Sequence, residues 1–215
     1  NKRNKNIPVV TVATQMVVEQ HDPAFKNPTK PIGPFYSEEE AKNMANEKGY
    51  VMKEDAGRGW RRVVASPLPR KIVEIEAVKL LWDSTIVITC GGGGIPVIEK
   101  PDGTLEGIAA VIDKDFAAEL LAEQVNADVL MILTAVDKVA INYGKPEQME
   151  LSKLNLADAA KYCEEGHFAS GSMLPKVQAA MKFVRANPNK KAIISSLDKA
   201  IQALEGKTGT TITFA

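Results

Sequence analysis

Four consecutive glycines, in Cys90-Gly91-Gly92-Gly93-Gly94-Ile95-Pro96, follow a strand-like run at Thr85–Cys90. With no side chains in the way, their backbone N–H groups can approach an anionic or carbonyl ligand closely. The carboxyl end of a strand is also where α/β sheets bind ligands; the plainer reading is a flexible turn. A second candidate is Val111-Ile112-Asp113-Lys114-Asp115, which opens a helical pattern near Phe116. Aspartates cap helix starts well, but Lys114 between them opposes the helix dipole. A lysine held by flanking carboxylates is what a phosphoryl-transfer site needs, because it neutralises charge on the migrating group. Lys176, at the end of Gly171-Ser172-Met173-Leu174-Pro175-Lys176, again puts a cation in a first helical turn, beside a proline suited to that turn. Two unfavourable lysines at two helix starts, together with a tetraglycine loop, point to a pocket for nucleotide phosphates. Leu133-Thr134-Ala135-Val136-Asp137 ends a strand-like run, with Ile141-Asn142-Tyr143-Gly144 close behind. Such turns either hold a base or ribose or are plain turns.

These residues need a scaffold, and the apolar pattern supplies one. Ile7–Val12 and Thr85–Cys90 are rich in Val, Ile and Thr and read as fully buried strands, as do Asp128–Thr134 and Lys191–Ser196. Thr210–Phe214 closes the set. Between them, Phe116, Leu120, Leu121 and Val125 share one helical face, as do Val177, Met181 and Val184. The alternation predicts an α/β fold, an open and mainly parallel sheet flanked by helices. Residues 22–70 depart from it. Six of the twelve prolines fall there, as does a helix over Ser37–Lys48. Ser37 and Glu40 form its capping box and Gly49 its stop. Arg58, Arg61 and Arg62 follow. The segment is expected to form a small lid-like subdomain inserted in a domain that spans residues 1–215, since a connection this long is uncommon unless functional.

Composition narrows the function classes. The chain has 215 residues, with 27 basic and 27 acidic side chains and no net charge. Nothing therefore draws it globally to nucleic acid or to an anionic membrane. No apolar run approaches the ~20 residues of a spanning helix. Two cysteines, Cys90 and Cys163, make neither a disulfide framework nor a zinc site and suggest buried free thiols in a reducing, cytoplasmic compartment. With only His21 and His167, a histidine-rich metal site or a Ser-His-Asp triad is disfavoured. Gly206-Lys207-Thr208 has the tail of a P-loop, but Ile201 stands where its first glycine belongs. Neither Gly57-Arg58-Gly59 nor the tetraglycine continues into G-x-G-x-x-G.

Seven segments carry a family resemblance. They are Phe25–Phe35, Lys53–Arg61, Cys90–Pro96, Ala110–Phe116, Leu133–Asp137, Ile141–Pro146 and Gly166–Lys176. In this order the chain resembles the carbamate kinases of the amino-acid kinase superfamily. The resemblance implies a sheet flanked by helices, a protruding subdomain over the active site, a homodimer, and reversible phosphoryl transfer between ATP and carbamate. The products are ADP and carbamoyl phosphate; magnesium bridges the phosphates and is held mainly through them. Arginine fermentation is the implied setting. Carried over by position, Lys114 and Lys176 stabilise the transferring group, Asp115 orients both, and Lys30 reaches the phosphates from the subdomain. Thr134, Val136, Asp137, Asn142, Tyr143, Met173 and Pro175 lie near the nucleotide, and Gly91, Gly92, Gly93 and Gly94 line the acceptor side.

The sequence also departs from the family pattern. The chain opens with a polar lead, Asn1–Asn6, and shows neither the family's Gly-Gly-Asn-Ala phosphate loop nor its His-Gly-Asn-Gly segment. The expectation is a fragment that keeps most nucleotide contacts, turns over weakly or not at all, and exposes a sheet edge and part of its core. The alternatives are a kinase of another acyl acceptor, such as acetylglutamate or aspartate, and a non-catalytic nucleotide-binding module. Lys30 and the Ile112–Asp115 run favour carbamate.

Overall fold

A computed structural model describes residues 6–55 and 57–215; residues 1–5 of the polar lead, and Ala56 within the Lys53–Arg61 match, lie outside the described residues. The chain divides into two compact units, one of residues 1–74 and 84–114 and one of residues 75–83 and 115–215.

In the first unit, β1 (Val9–Thr11) begins just after Pro8, which has no N–H to give a ladder. The buried strand β2 (Gln15–Val18) follows. Next come β3 (Lys30–Tyr36), helix α1 (Glu38–Lys48), β4 (Met52–Glu54), β5 (Trp60–Val64) and β6 (Pro69–Ile72). Ser37 and Glu40 close the expected capping box on α1, and Gly49 ends it in the left-handed conformation, φ 65°. Strands β3, β5 and β4 form a three-stranded antiparallel sheet with α1 beside it. That is the fold of the proline-rich segment up to Val64. Pro69 and Arg70 belong instead to β6, which pairs with β2. Helix α2 (Ile75–Trp82) groups with the second unit. Strands β7 (Ile86–Ile88), β8 (Ile95–Glu99) and β9 (Leu105–Gly107) complete the first. Its main sheet runs β6-β2-β8-β9, with β2 and β8 parallel. β1 and β7 pair in parallel.

The reading of Ile7–Val12 and Thr85–Cys90 as fully buried strands is corrected here. Among the described residues β1 and β7 bond only to each other, so Val9, Ile86 and Ile88 stay 60%, 53% and 52% exposed.

The second unit holds α3 (Lys114–Gln124, whose first residue closes the first unit), β10 (Val129–Thr134), β11 (Val139–Ile141), β12 (Met149–Leu151) and β13 (Lys153–Asn155). Helices α4 (Leu156–Glu164) and α5 (Met173–Ala186), strand β14 (Lys191–Ser196), α6 (Ala200–Leu204) and β15 (Thr210–Thr213) follow. The sheet order is β10-β14-β15-β13, with β10/β14 and β13/β15 parallel and β14/β15 antiparallel. The α/β class holds, with mixed sheets. α5 sets Val177, Met181 and Val184 into this unit's core beside Ile132, Ile194 and Ile212, as its spacing predicts. The β11–β12 hairpin is tied to that sheet by one side chain. The buried Thr210 hydroxyl accepts from Val139 N at 2.8 Å and donates to the Leu151 carbonyl.

Candidate functional site

The candidate residues fall into two clusters, one in each unit. In the first, Thr14 is buried and its hydroxyl accepts from Cys90 N at 3.0 Å, setting the entry to the glycine loop. Cys90 itself sits at φ 56°, and Gly91–Gly93 make a tight turn in which Gly92 is left-handed, φ 67°. The four glycines are not equivalent. A Cβ on Gly93 would lie 2.2 Å from the Ile112 carbonyl oxygen, and one on Gly94 would lie 2.5 Å from Met16 Cγ; Gly91 and Gly92 face open space. Two of the glycines therefore answer to packing. Gly91 and Gly94 border a cavity of about 220 Å³ with Val12, Thr14, Ile88 and Ile95. Lys30, the first residue of β3, donates to Asp113 Oδ2 at 2.8 Å. Lys114 is exposed at the start of α3.

In the second unit, Asp115 and Lys176 meet at 2.8 Å with side chains only 8% and 11% exposed. They stand in the first turns of α3 and α5, so the two helix starts share a buried ion pair. Four residues further along α3, Glu119 receives a 2.7 Å bond from Lys182 of α5, a second link between the helices. Glu119 is buried, its Oε1 has no hydrogen-bond partner, and Glu123 approaches the same lysine at 3.5 Å. Burial pushes the Glu119 carboxyl up to about 7, against the pull of Lys182.

The unit also has a cavity of about 280 Å³, lined mainly by apolar atoms. Of the expected nucleotide residues, Thr134, Val136, Tyr143 and Met173 line it, whereas Asp137, Asn142 and Pro175 do not. Asp137 instead accepts from Ser196 Oγ at 2.6 Å and pairs with Lys199, and these contacts hold its carboxyl below the usual range. Asn142 is left-handed, φ 54°, and turns the chain out of β11. Pro175 sits in the first turn of α5, ahead of Lys176. Residue-level reading missed Lys138, His167, Phe168 and Ser172, which also border the cavity. His167 hydrogen-bonds Glu165 at 3.2 Å and meets the Tyr162 ring edge-on. The resembling run Gly166–Lys176 contains three of these four, so that stretch was the available signal. Both cysteines are free thiols. Cys90 is buried and Cys163 half-buried, and burial raises the pKa of each. Among the described residues no three His, Cys, Asp or Glu side chains gather as a metal site, and no helix is long and apolar enough to cross a membrane.

A mixed α/β sheet, an apolar cavity at strand ends and a lysine–aspartate pair shared by two helix starts are what a phosphoryl-transfer enzyme of the α/β class uses. A profile of the amino acid kinase family matches residues 8–195, and the chain belongs to that family. Within it, the chain is similar to carbamate kinases. It is 60% identical to the Clostridium perfringens carbamate kinase over 98% of this chain and 67% of that protein. It is 56% identical to the Pyrococcus horikoshii carbamate kinase, over 99% and 67% respectively. The solved carbamate kinase of Giardia lamblia bound to AMP-PNP superposes with a TM-score of 0.89 at 48% identity, over 99% of this chain and 67% of that one. The chain thus spans about two thirds of the length of these relatives.

Proposed function

We propose that the chain carries out the carbamate kinase reaction, reversible phosphoryl transfer between ATP and carbamate to give ADP and carbamoyl phosphate. The observation that carries this reading lies on α5. Met173 borders the apolar cavity, and Lys176, one turn later, is locked against Asp115. A base in the cavity would direct its phosphates toward that lysine. The names of the carbamate kinase relatives support the choice of acceptor. Lys176 supplies fixed positive charge to the transferring group, and Asp115 holds the ammonium so that little reorganisation is needed as charge develops. Lys114 and Lys30 are assigned to nucleotide phosphates, as the resemblance implies. The Gly91–Gly94 loop is assigned to the acceptor side, and Gly91 and Gly94 border the smaller cavity there. Magnesium enters with the nucleotide as its phosphate complex, and no protein ligand or step is assigned to it. A homodimer, a cytoplasmic location and arginine breakdown as the source of carbamoyl phosphate complete the proposal.

The test is ATP formation from ADP, magnesium and carbamoyl phosphate by the purified chain, beside ADP binding by calorimetry. In a full-length version of the protein, Lys176→Ala should keep ADP affinity within a few-fold while turnover falls roughly 10²–10³-fold. Failure of the chain to bind ADP, or unchanged turnover in the variant, overturns the reading. Equal use of acetyl phosphate overturns the acceptor.

A further inference from the structure

Asp113 has no role in the assignments above, yet it holds one of their lysines. The two residues are 83 positions apart and meet at 2.8 Å, with side chains 13% and 34% exposed for Asp113 and Lys30. Surface pairs such as Lys42–Glu38, whose side chains are 70% and 62% exposed, hold two long side chains in water for little return. The Lys30–Asp113 pair is different because both backbones are pinned. Lys30 lies opposite Val64 in the β3/β5 ladder, and the preceding Thr29 N donates to the Val64 carbonyl at 3.2 Å. The next residue along, Ala65, bridges Ala110, and its carbonyl accepts from Val111 N at 2.9 Å. The run into Asp113 is then backed by Gly93, which packs so closely on the Ile112 carbonyl that no side chain fits. Two adjacent residues at the end of β5 thus fix the origin of the lysine and the approach of the carboxylate.

We infer that Asp113 is a positioning residue, one that sets the Lys30 ammonium for contact with nucleotide phosphates. The inference rests on the assignment of Lys30 to those phosphates. A lysine ammonium has three N–H donors. Asp113 takes one, which fixes the direction of the other two. Without such an acceptor, a four-carbon side chain spreads over many rotamers and must be ordered when the anion binds.

The experiment uses the 215-residue chain labelled with ¹³C at lysine Cε, which leaves all three N–H donors of each ammonium in place, the Lys30 and Lys176 resonances being assigned through Lys30→Arg and Lys176→Arg. ADP with magnesium is titrated into the unsubstituted chain, Asp113→Asn and Asp113→Glu. Asparagine keeps the shape of the side chain and removes its charge, and folding of each variant is read from its circular dichroism. In the unsubstituted chain both lysine signals should move and saturate together. In Asp113→Asn the Lys176 titration should give the same dissociation constant within about twofold, whereas the Lys30 displacement should fall at least twofold. Asp113→Glu should restore most of it. A Lys30 displacement that is equal in the unsubstituted and Asn chains overturns the inference. So does a Lys30 signal that stays still while Lys176 responds, and that outcome leaves the kinase reading intact. If ADP moves neither lysine, both fall.

Discussion

Replacing Glu119 by glutamine should flatten the pH dependence of this protein's stability. The Glu119 carboxyl is about 1% exposed and burial raises it from an ordinary 4.5 to about 7, so the folded state holds its proton more tightly than the unfolded chain does. The resulting contribution is fully present below about pH 4.5 and is lost as pH rises through about 7. A displacement of that size corresponds to about 3 kcal/mol in total, of which about 2–3 kcal/mol falls between pH 5 and 8. The Lys182 ammonium at 2.7 Å already opposes the rise, and Glu123 adds to it; both are contained in the value of about 7. Glutamine keeps an acceptor oxygen for Lys182 and cannot ionise. Urea unfolding at pH 5 and pH 8 gives the stability of each chain. The unsubstituted protein should lose about 2–3 kcal/mol more than Glu119→Gln across that interval. The difference between the two slopes is the quantity of interest, because other titrating groups are common to both chains. Equal slopes would refute the argument and would mean that Glu119 is ionised in the fold at ordinary cost.

Two further perturbations address the site. Lys176→Met strips an ammonium from a buried carboxylate and should cost roughly 3–5 kcal/mol, whereas Lys176→Met with Asp115→Asn should recover much of that loss; urea midpoints of the four chains at pH 7 close the cycle, and additive losses would show the pair to be uncoupled. Gly93→Ala drives a methyl toward the Ile112 carbonyl at a residue with φ 101° and should lower stability by at least about 2 kcal/mol. Gly91→Ala, with nothing within 4 Å, should be nearly silent when both variants are unfolded in urea.

Much of the scaffold could be read from local chemistry. Ser37, Glu40 and Gly49 specify α1 almost by themselves, because each satisfies or terminates a known set of backbone groups. The run Lys191–Ser196 gives β14 with the same bounds, since a continuous branched apolar stretch between turns has few other uses. The same reasoning misled at Val9, Ile86 and Ile88, because β propensity reports what a strand can bury and says nothing of what lies against it. On α3 the predicted apolar stripe was Phe116, Leu120, Leu121 and Val125, yet Asp115 and Glu119 are buried and Phe116, Leu121 and Val125 only partly so. Two carboxylates go inside there because Lys176 and Lys182 of another helix meet them, a long-range pairing that no spacing within α3 reveals. The cavity shows the same division. The strand ends after β10 and β11 mark where a ligand can sit, but which side chains close around it depends on the turn into α5, as His167 and Phe168 illustrate.

Thr210 carries one more implication, for sequence drift. Its hydroxyl stands in for a stretch of backbone ladder, serving an amide of β11 and a carbonyl of β12 at once, and Ala140 between Val139 and Ile141 borders the cavity. Valine would preserve shape and β propensity here yet leave both of those groups without their hydroxyl partner in the interior. Serine alone keeps the chemistry. Position 210 therefore has an alphabet of two letters, and orthologous chains that keep the hairpin against the sheet should spell it with one or the other.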